Sequence, residues 1–349
     1  MSIYVGNTRV DPSGVKKVYF GPVLVYEKER YMYVENTDSE DGNLTIWASS
    51  NGSAKWELEE LPSLKYSFNR TDWNDVDLSS SSFTITIPSL SKVYLKNAKN
   101  TLSLSYNKYI RMVADCNHDV GGNILSLIKW SNCYDYCFCS LFSLDTNHSN
   151  TKGLVNANKL ILPSTLSRGC FRQTFESCRN LATAPALPAT TLAEYCYIGM
   201  FEWCDSLTVA PSLPAMTLSK GCYDSMFSYC KSLTVPPTLP ATTLAEQCYA
   251  SMFSRCDNLT TLPNLPATIL PNRCYEFMFE DCISLKLYSS SGTGHRKQWI
   301  IPSSGVLIEA GTDCWLSTFN GVVDKDIESP FDGVDKNKQR TIYTQNDPV

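Results

Sequence analysis

Several features that are common in proteins are scarce or missing in this chain of 349 residues. No run of 18 apolar residues occurs, so no segment is expected to span a bilayer as a helix. Basic residues do not outnumber acidic ones, because 30 Lys and Arg face 35 Asp and Glu, for a formal net charge of -5. Without a basic patch, the chain is not expected to bind nucleic acid or to insert into a membrane.

The opening residues lack the charged, apolar and small-residue regions of a secretory signal. We therefore expect synthesis in a host cytoplasm without export, where thiols stay reduced. Histidine is also scarce, with three residues far apart in the chain: His118, His148 and His295. No Ser/His/Asp order, nucleophile elbow or phosphate loop accompanies them. The sequence predicts a protein that is not an enzyme, with no catalytic residues, no cofactor and no metal.

What the chain does contain is a long repeat built on cysteine. A first row of five cysteines recurs every 26 residues without a slip: Cys170, Cys196, Cys222, Cys248 and Cys274. A second row follows eight residues later: Cys178, Cys204, Cys230, Cys256 and Cys282. A phenylalanine lies five residues after each first-row cysteine: Phe175, Phe201, Phe227, Phe253 and Phe279. Such a fixed period predicts one structural coil per unit, with these residues in a core shared by neighbouring coils.

The pattern inside one unit predicts a strand, a turn and a helix. In residues 191–204 the apolar side chains follow i, i+4 spacing, which is typical of one face of an amphipathic helix. Thr191 and Glu194 form a capping-box pattern at its start. The stretches LATAP, LTVAP, LTVPP and LTTLP predict a short strand that proline ends. Weaker echoes around Cys137 and Cys314 raise the number of coils to about seven, with atypical coils at both ends.

At these residues the chain resembles a known family. The phrase MFxxCxSL, followed by a proline-ended strand and LPATTL, is similar to the BspA-like leucine-rich repeats of gut anaerobes and their bacteriophages. The likeness covers about residues 137–319. It implies a leucine-rich-repeat solenoid with an adhesive or scaffolding surface, and it does not imply catalysis.

The N-terminal part has a different pattern. VKKVYFG and VLVYEK predict a β-hairpin, and VKKVYFGPVLVYEK resembles a leader of phage-encoded repeat proteins. Alternating runs from about residue 31 predict six or seven short strands in an antiparallel β-sandwich. The predicted fold is therefore α+β, with an anchoring hairpin at 1–30, a sandwich at 31–122, the solenoid at 123–325 and a tail at 326–349.

Two groups of residues are candidates for binding a metal ion. CYDYCFC, residues 133–139, is with Cys116 and His118 the one cluster suited to zinc, but it lacks a CxxC pair, and core packing is the plainer interpretation. Asp72 and Asp75 are candidates for calcium or for a simple turn. The repeat cysteines themselves are expected to form a reduced, buried ladder, since eight residues of helix separate the members of one unit by about 12 Å.

Partner binding is expected at positions that vary while the rest of the repeat is fixed. Seven residues after the first-row cysteine, four units carry the residue types of interaction hot spots and sugar-stacking sites: Trp203, Tyr229, Arg255 and Asp281. The alternative is a solvated flank with two partly buried aromatic rings. On the strand side the residues are small, as at Ala182, Thr208 and Ala210, which suits close approach of another surface.

These patterns, with the resemblance, favour a non-enzymatic phage virion protein, a fibre or decoration protein. Its N-terminal region would contact other virion proteins, and its repeats would face outward towards a host-surface glycan or protein. A homo-oligomer is compatible with this role. The alternatives are a bacterial cell-surface adhesin of BspA type, a purely architectural particle component and, with the least support, a glycan-hydrolysing tailspike.

Overall fold

Strands dominate the described structure. The computed structural model describes residues 31–50, 55–129, 132–144 and 152–285, with short pieces at 302–303, 313–314 and 317–319, and the backbone of the strands outside these ranges. The strands are β1 Ile3–Val5, β2 Thr8–Val10, β3 Lys17–Phe20, β4 Val23–Glu27, β5 Met32–Asn36, β6 Gly42–Ser50, β7 Leu64–Ser67, β8 Asn74–Asp75, β9 Ser82–Ile87, β10 Lys92–Asn97, β11 Lys108–Ala114, β12 His118–Asn123, β13 Leu154–Ile161, β14 Ile269–Leu270, β15 Leu287–Tyr288, β16 His295–Ile301, β17 Glu309–Ala310 and β18 Arg340–Gln345.

The N-terminal half is built from two sheets. One has six strands in the order β13-β12-β5-β10-β7-β8, and the other has three in the order β11-β6-β9. In β10 alternate side chains are buried, β5 is buried at all positions but Glu35, and Val34 lies opposite Val93. Leu44 and Ile46 of β6 belong to the same hydrophobic cluster as these valines. The period-two pattern therefore places one face of each sheet in a common core.

Small sheets complete the described strands. β1 pairs with β2, and β3 pairs antiparallel with β4, which joins the VKKVYFG and VLVYEK segments. β14 pairs with β17 in parallel, and β18 lies between β15 and β16. Residues 326–339 and 346–349 of the predicted tail lie outside the described residues.

The predicted helix in each repeat unit is wrong, and with it the α+β fold class and the strand-turn-helix solenoid. The described residues contain no α-helix, and their helical structure is limited to 3₁₀ turns at Leu58–Glu60 and Ile124–Ile128. The predicted strands in LTVAP, LTVPP and LTTLP are also not formed, and the repeats carry isolated parallel bridges instead, from Asn156 to Thr183 and along Thr191, Thr217 and Thr243.

Successive β-turns replace the helix. In the unit of Cys170, the N–H of Arg172 donates to the carbonyl of Gly169, three residues back, at 3.0 Å, whereas the N–H of Phe171 donates to Cys196 of the next unit at 2.9 Å. The same alternation continues through the following residues. Half of the amide groups thus close local turns and half join neighbouring coils, which satisfies the backbone without a helix.

Every fourth residue of this segment has a left-handed backbone. Gly169, Gln173 and Ser177 have φ of 57°, 53° and 61°, and the equivalent residues of the other units follow the same pattern. Because the conformation repeats after four residues, two side chains in succession point into the core and the next two point outward. We call 168–178 and the equivalent segments 194–204, 220–230, 246–256 and 272–282 the turn side of the coil stack.

The core of the coil stack consists of aromatic rings and thiols in continuous rows. One row holds Phe142, Phe175, Phe201, Phe227, Phe253, Phe279 and Phe319, and the other holds Phe138, Phe171, Tyr197, Tyr223, Tyr249 and Tyr275. Neighbouring rings are nearly parallel, with centroids 5.2 to 6.0 Å apart. A single coil could not cover these rings, so burial requires its neighbours.

The sheets and the coil stack share one core. β12 pairs antiparallel with β5 and in parallel with β13, which lies at the start of the stack. The N–H of Met112 in β11 donates to the carbonyl of Leu141 at 2.7 Å. One hydrophobic cluster extends from Met32 to Phe319. The domain boundary at 122 stays a prediction, and the chain on either side of it contributes to a continuous interior.

Candidate functional site: the outer surface of the coil stack

The row predicted to bind a partner lies on the outer surface of the turn side. The rings of Trp203 and Tyr229 stack on each other, with centroids 3.6 Å apart and planes 14° from parallel. The guanidinium of Arg179 lies 5.2 Å from the Trp203 centroid, and that of Arg255 lies 5.3 Å from the Tyr229 centroid. Both outer ring faces are therefore covered by cations of the same chain.

The two arginines are themselves paired with carboxylates. Arg179 contacts Asp205 at 2.7 Å, and Arg255 contacts Asp281 at 3.1 Å. The four predicted residues are thus brought together as one ladder, which Arg179 and Asp205 extend. A sugar ring needs a free aromatic face on which to stack. In this ladder the outer ring faces are covered, so only the ring edges and the charged groups remain at the surface.

Half-buried carboxylates occupy the neighbouring outer positions. Burial, aided by the negative charges of Glu176 and Asp224, raises the pKa of Glu202 to about 7. Burial also raises the pKa of Asp224 to about 6, against the lowering effect of the Ser225 hydrogen bond and the charge of Arg172. These carboxyl groups exchange protons near neutral pH. This group was not predicted, although acidic residues two and six positions after the first-row cysteines are visible in the repeat.

The thiols lie inside the stack. All fifteen cysteines are free and buried, including both predicted rows. The phenylalanines predicted for the repeat core, among them Phe201 and Phe227, are also fully buried. Each described second-row thiol donates to a phenylalanine carbonyl at 3.0 to 3.2 Å, as Cys204 does to Phe175 and Cys230 does to Phe201. The second-row thiol therefore joins its coil to the preceding one.

The candidate metal residues have partners of their own. His118 is buried, and its Nδ1 lies 2.8 Å from the carbonyl oxygen of Cys116, while burial lowers its pKa. Hydrogen bonds from the Cys137 and Cys170 thiols lower the pKa of the Cys133 thiol. Within the described ranges, no group of three His, Cys, Asp or Glu side chains is arranged to hold a metal ion.

The calcium candidates are likewise engaged. Asp72 accepts a hydrogen bond from the side-chain amide of Asn69 at 2.6 Å. Asp75 forms an ion pair with Lys65 across β7 and β8. Both carboxylates therefore serve the turn between these strands.

The other side of each coil has no charged residue. It consists of fourteen residues in each of four successive coils: 180–193, 206–219, 232–245 and 258–271. We call this surface the charge-free side. Leucine and alanine side chains such as Leu213 and Ala215 point into the core, while Thr208, Val209 and Thr217 are exposed. A shallow pocket on it is lined by residues that include Thr191, Pro214 and Met216.

Rows of charge border this side where it meets the turn side. On one border stand Arg179, Asp205, Lys231 and Asp257, and on the other stand Arg168, Glu194, Lys220 and Glu246. Their signs alternate from coil to coil, and cross-coil pairs form at 2.7 Å between Arg179 and Asp205 and at 3.0 Å between Lys220 and Glu246. Opposite charges on adjacent coils favour this register over a shifted one.

Comparison with known proteins identifies no relative: no family model, no curated protein and no solved structure matches the chain. In the part of the chain that the structure describes, no helix has the length and apolar character to cross a membrane. The resemblance to BspA-like repeats stays a prediction.

Proposed function

We propose that the chain is a non-enzymatic phage virion protein, a fibre or decoration protein, whose coil stack displays a long rigid surface towards a host-surface glycan or protein. The observation that carries the proposal is the uninterrupted series of cross-coil hydrogen bonds, from Tyr136 to Arg168 at one end and from Phe279 to Thr318 at the other. Stacked repeats of this kind offer extended surfaces that hold their side chains at fixed spacing.

The filled interior supports the same proposal. Core rings such as Tyr223 and Phe227 are stacked from coil to coil and leave their thiol neighbours buried. Reactive groups of the stack are therefore directed either into a packed core or onto an open outer surface. Contact with another macromolecule uses such a surface, whereas catalysis on a small substrate uses a concave site.

Host contact through the row of Trp203 and Tyr229 would differ from ring stacking on a sugar. Because Arg179 and Arg255 cover the outer ring faces, the groups left for a ligand are the guanidinium edges and the carboxylate of Asp281. A polar or charged host polymer suits these groups better than a neutral sugar.

Location in a purified particle tests the proposal. Antibodies against the chain should label virions after density-gradient purification, and they should label the particle surface if the stack faces outward. Label on the envelope of uninfected bacteria, with none on particles, would replace the proposal by the alternative of a surface adhesin. Virion label without any host binding by the purified chain would favour a purely architectural role.

Among the described residues, the half-buried carboxylates favour the hydrolytic alternative. Glu202 and Asp224 have pKa values raised to about 7 and about 6, which suits a proton donor near neutral pH. Release of reducing sugar from host capsule by the purified chain, abolished in Glu202→Gln and kept in Glu246→Gln, would establish hydrolysis. Absence of release with the wild-type chain leaves the carboxylates a structural role.

A further inference from the structure

The charge-free side is unusual in what all four of its coils omit. Residues 180–193, 206–219, 232–245 and 258–271 contain no Asp, Glu, Lys, Arg or His and no aromatic residue. The chain as a whole has 19% charged and 11% aromatic residues, so both types are common elsewhere. Depletion of charge is the compositional mark of the central part of a protein–protein interface.

Large apolar side chains are exposed on this surface. Val209 and Val235, which occupy equivalent positions of adjacent coils, are 73% and 58% exposed. Met216 and Ile269, at adjacent repeat positions in coils that are two apart, are about half exposed. Between them lie hydroxyl groups and prolines, including Thr208, Thr234 and Pro214. The exposed residues form short rows that run from coil to coil.

The composition of the charge-free side indicates which kind of partner would dock on it. A charged polymer or an anionic lipid surface would leave its charges unpaired against residues such as Val209 and Thr234. A sugar would find no aromatic ring to stack on. A second copy of the same surface brings no charge that needs a partner, and its valine and threonine rows have the same spacing.

We infer that the charge-free side is the surface on which a second copy of this chain docks. The inference rests on the proposed virion role and gives that role a partner. Two copies related by a two-fold axis would place Val209 and Val235 of each chain against the same side of the other. Their charged borders would lie at the rim, where solvent screens them.

The dimensions of this side set an upper limit on the area of such a contact. Four coils spaced by about 4.8 Å give a height of about 19 Å, and fourteen residues span at most about 46 Å along the chain. The product is at most about 900 Å² for each copy, and a standard interface buries about 800 Å² on each partner. Most of the surface, from the Arg179 border to the Glu194 border, would therefore take part.

Sedimentation velocity of the full chain, from about 1 to about 100 µM, tests the inference. We expect the wild-type chain to sediment as a dimer in the upper part of this range. The double variant V209D/V235D should raise the dissociation constant at least about 100-fold, because each two-fold contact would bury four carboxylates without partners. Both valines are exposed in the single chain, so at about 1 µM, where both chains are monomeric, the variant should unfold at the same denaturant concentration as the wild type.

The matched control is L58D/L90D, which adds the same charge at sites outside the coil stack. Leu58 and Leu90 are 71% and 73% exposed, so the change in exposed apolar surface is similar. The control should dimerise like the wild type. A wild-type chain that stays monomeric at 100 µM, or a V209D/V235D variant that still dimerises like the control, would overturn the inference. Virion label with a monomeric chain would overturn only the dimer, and a dimer with no virion label would overturn only the virion role.

Discussion

The turn side and the charge-free side belong to the same coils but differ in how they join neighbours. On the turn side every second amide group bonds to the next coil, and core rings such as Phe201 and Phe227 stack behind it. On the charge-free side the described cross-coil contacts are fewer, such as the bridges along Thr191, Thr217 and Thr243 and the bond from the N–H of Thr260 to Thr234. The comparison indicates that cohesion of the stack comes mainly from the turn side.

The residues exposed on the two sides also differ in type. The turn side presents Arg, Asp, Glu and aromatic residues that pair with one another, as Arg255 does with Tyr229 and Asp281. The charge-free side presents Thr, Val, Pro and Met, and the described side-chain hydrogen bonds there are few, such as that from Thr260 to the carbonyl of Thr234. One side thus pairs several of its charged groups within the chain, and the composition of the other suits a partner.

The largest effect is expected from removing a ring of the turn-side core. Phe227 is fully buried, and its ring lies between those of Phe201 and Phe253 at 5.8 and 5.9 Å. Phe227→Ala should lower the free energy of unfolding by about 3 to 5 kcal/mol, because it leaves a cavity that two neighbouring coils also line. Denaturant unfolding followed by circular dichroism measures this loss.

The control for this prediction lies on the other side of the same coil. Val235 is 58% exposed, and Val235→Ala should change the free energy of unfolding by no more than about 0.5 kcal/mol. A Phe227→Ala loss as small as that of Val235→Ala would contradict the assignment of cohesion to the turn side.

A smaller effect is expected from the second-row thiols. Cys230 donates to the carbonyl of Phe201 at 3.1 Å in a fully buried position. Cys230→Ala removes this donor together with a buried sulfur atom, and should cost about 1 to 3 kcal/mol. Cys230→Ser keeps a donor, so it should recover part of the loss, as measured by the same unfolding experiment. If Ser and Ala cost the same, the thiol serves only as a small apolar group.

The stacking of units could be predicted from the sequence because its signal is an invariant period. Positions such as Cys196, Phe201 and Cys204 recur at 26 residues, and an indel-free period has few other structural explanations. The local structure of the turn side could not be predicted from the apolar spacing. Apolar spacing of i, i+4 fits an α-helix of 3.6 residues per turn, but it also fits a chain of turns with a period of four.

The apolar positions of one segment do not separate the two structures. Within 196–204 the apolar residues of the core are Cys196, Tyr197, Met200, Phe201 and Cys204, and positions between them, such as Glu202, lie on the outer side. Tyr197 and Met200 are three residues apart, and Tyr197 and Cys204 are seven apart, so the same set also fits the i, i+3, i+4 and i+7 stripe of an α-helix. The apolar positions of so short a segment cannot distinguish a chain of four-residue turns from a helix of 3.6 residues per turn.

The candidate surface was predictable only in part. The variable row of Trp203, Tyr229, Arg255 and Asp281 is visible in the repeat, and these residues do lie together. That Arg179 would cover the Trp203 ring could not be read from the sequence, because it depends on how far one coil is offset from the next. The lack of charged residues in the four segments of the charge-free side can be seen in the sequence, but only their small residues were used for the prediction.

The smallest effect is expected from the outer carboxylates of the turn side. The pKa of Glu202 is raised from its ordinary 4.5 to about 7 by burial and by the charges of Glu176 and Asp224. The folded chain therefore binds more protons than the unfolded chain between these values, so this group's contribution to stability is complete below about pH 4.5 and is lost as pH rises through 7. Glu202→Gln should remove the loss and raise the free energy of unfolding at pH 8 by about 1 kcal/mol.

The measurement is denaturant unfolding of both chains at intervals from pH 5 to pH 8. The wild-type chain should lose more stability over this range than Glu202→Gln, with the gap opening as Glu202 ionises. Glu246→Gln, at an exposed side chain paired with Lys220, should keep the wild-type slope because solvent screens that pair. Equal slopes in the wild type and in Glu202→Gln would mean that the carboxylate of Glu202 is well solvated. The contrast between the two sides would then rest on the core rings, the cross-coil hydrogen bonds and the paired outer groups such as Arg255 and Asp281.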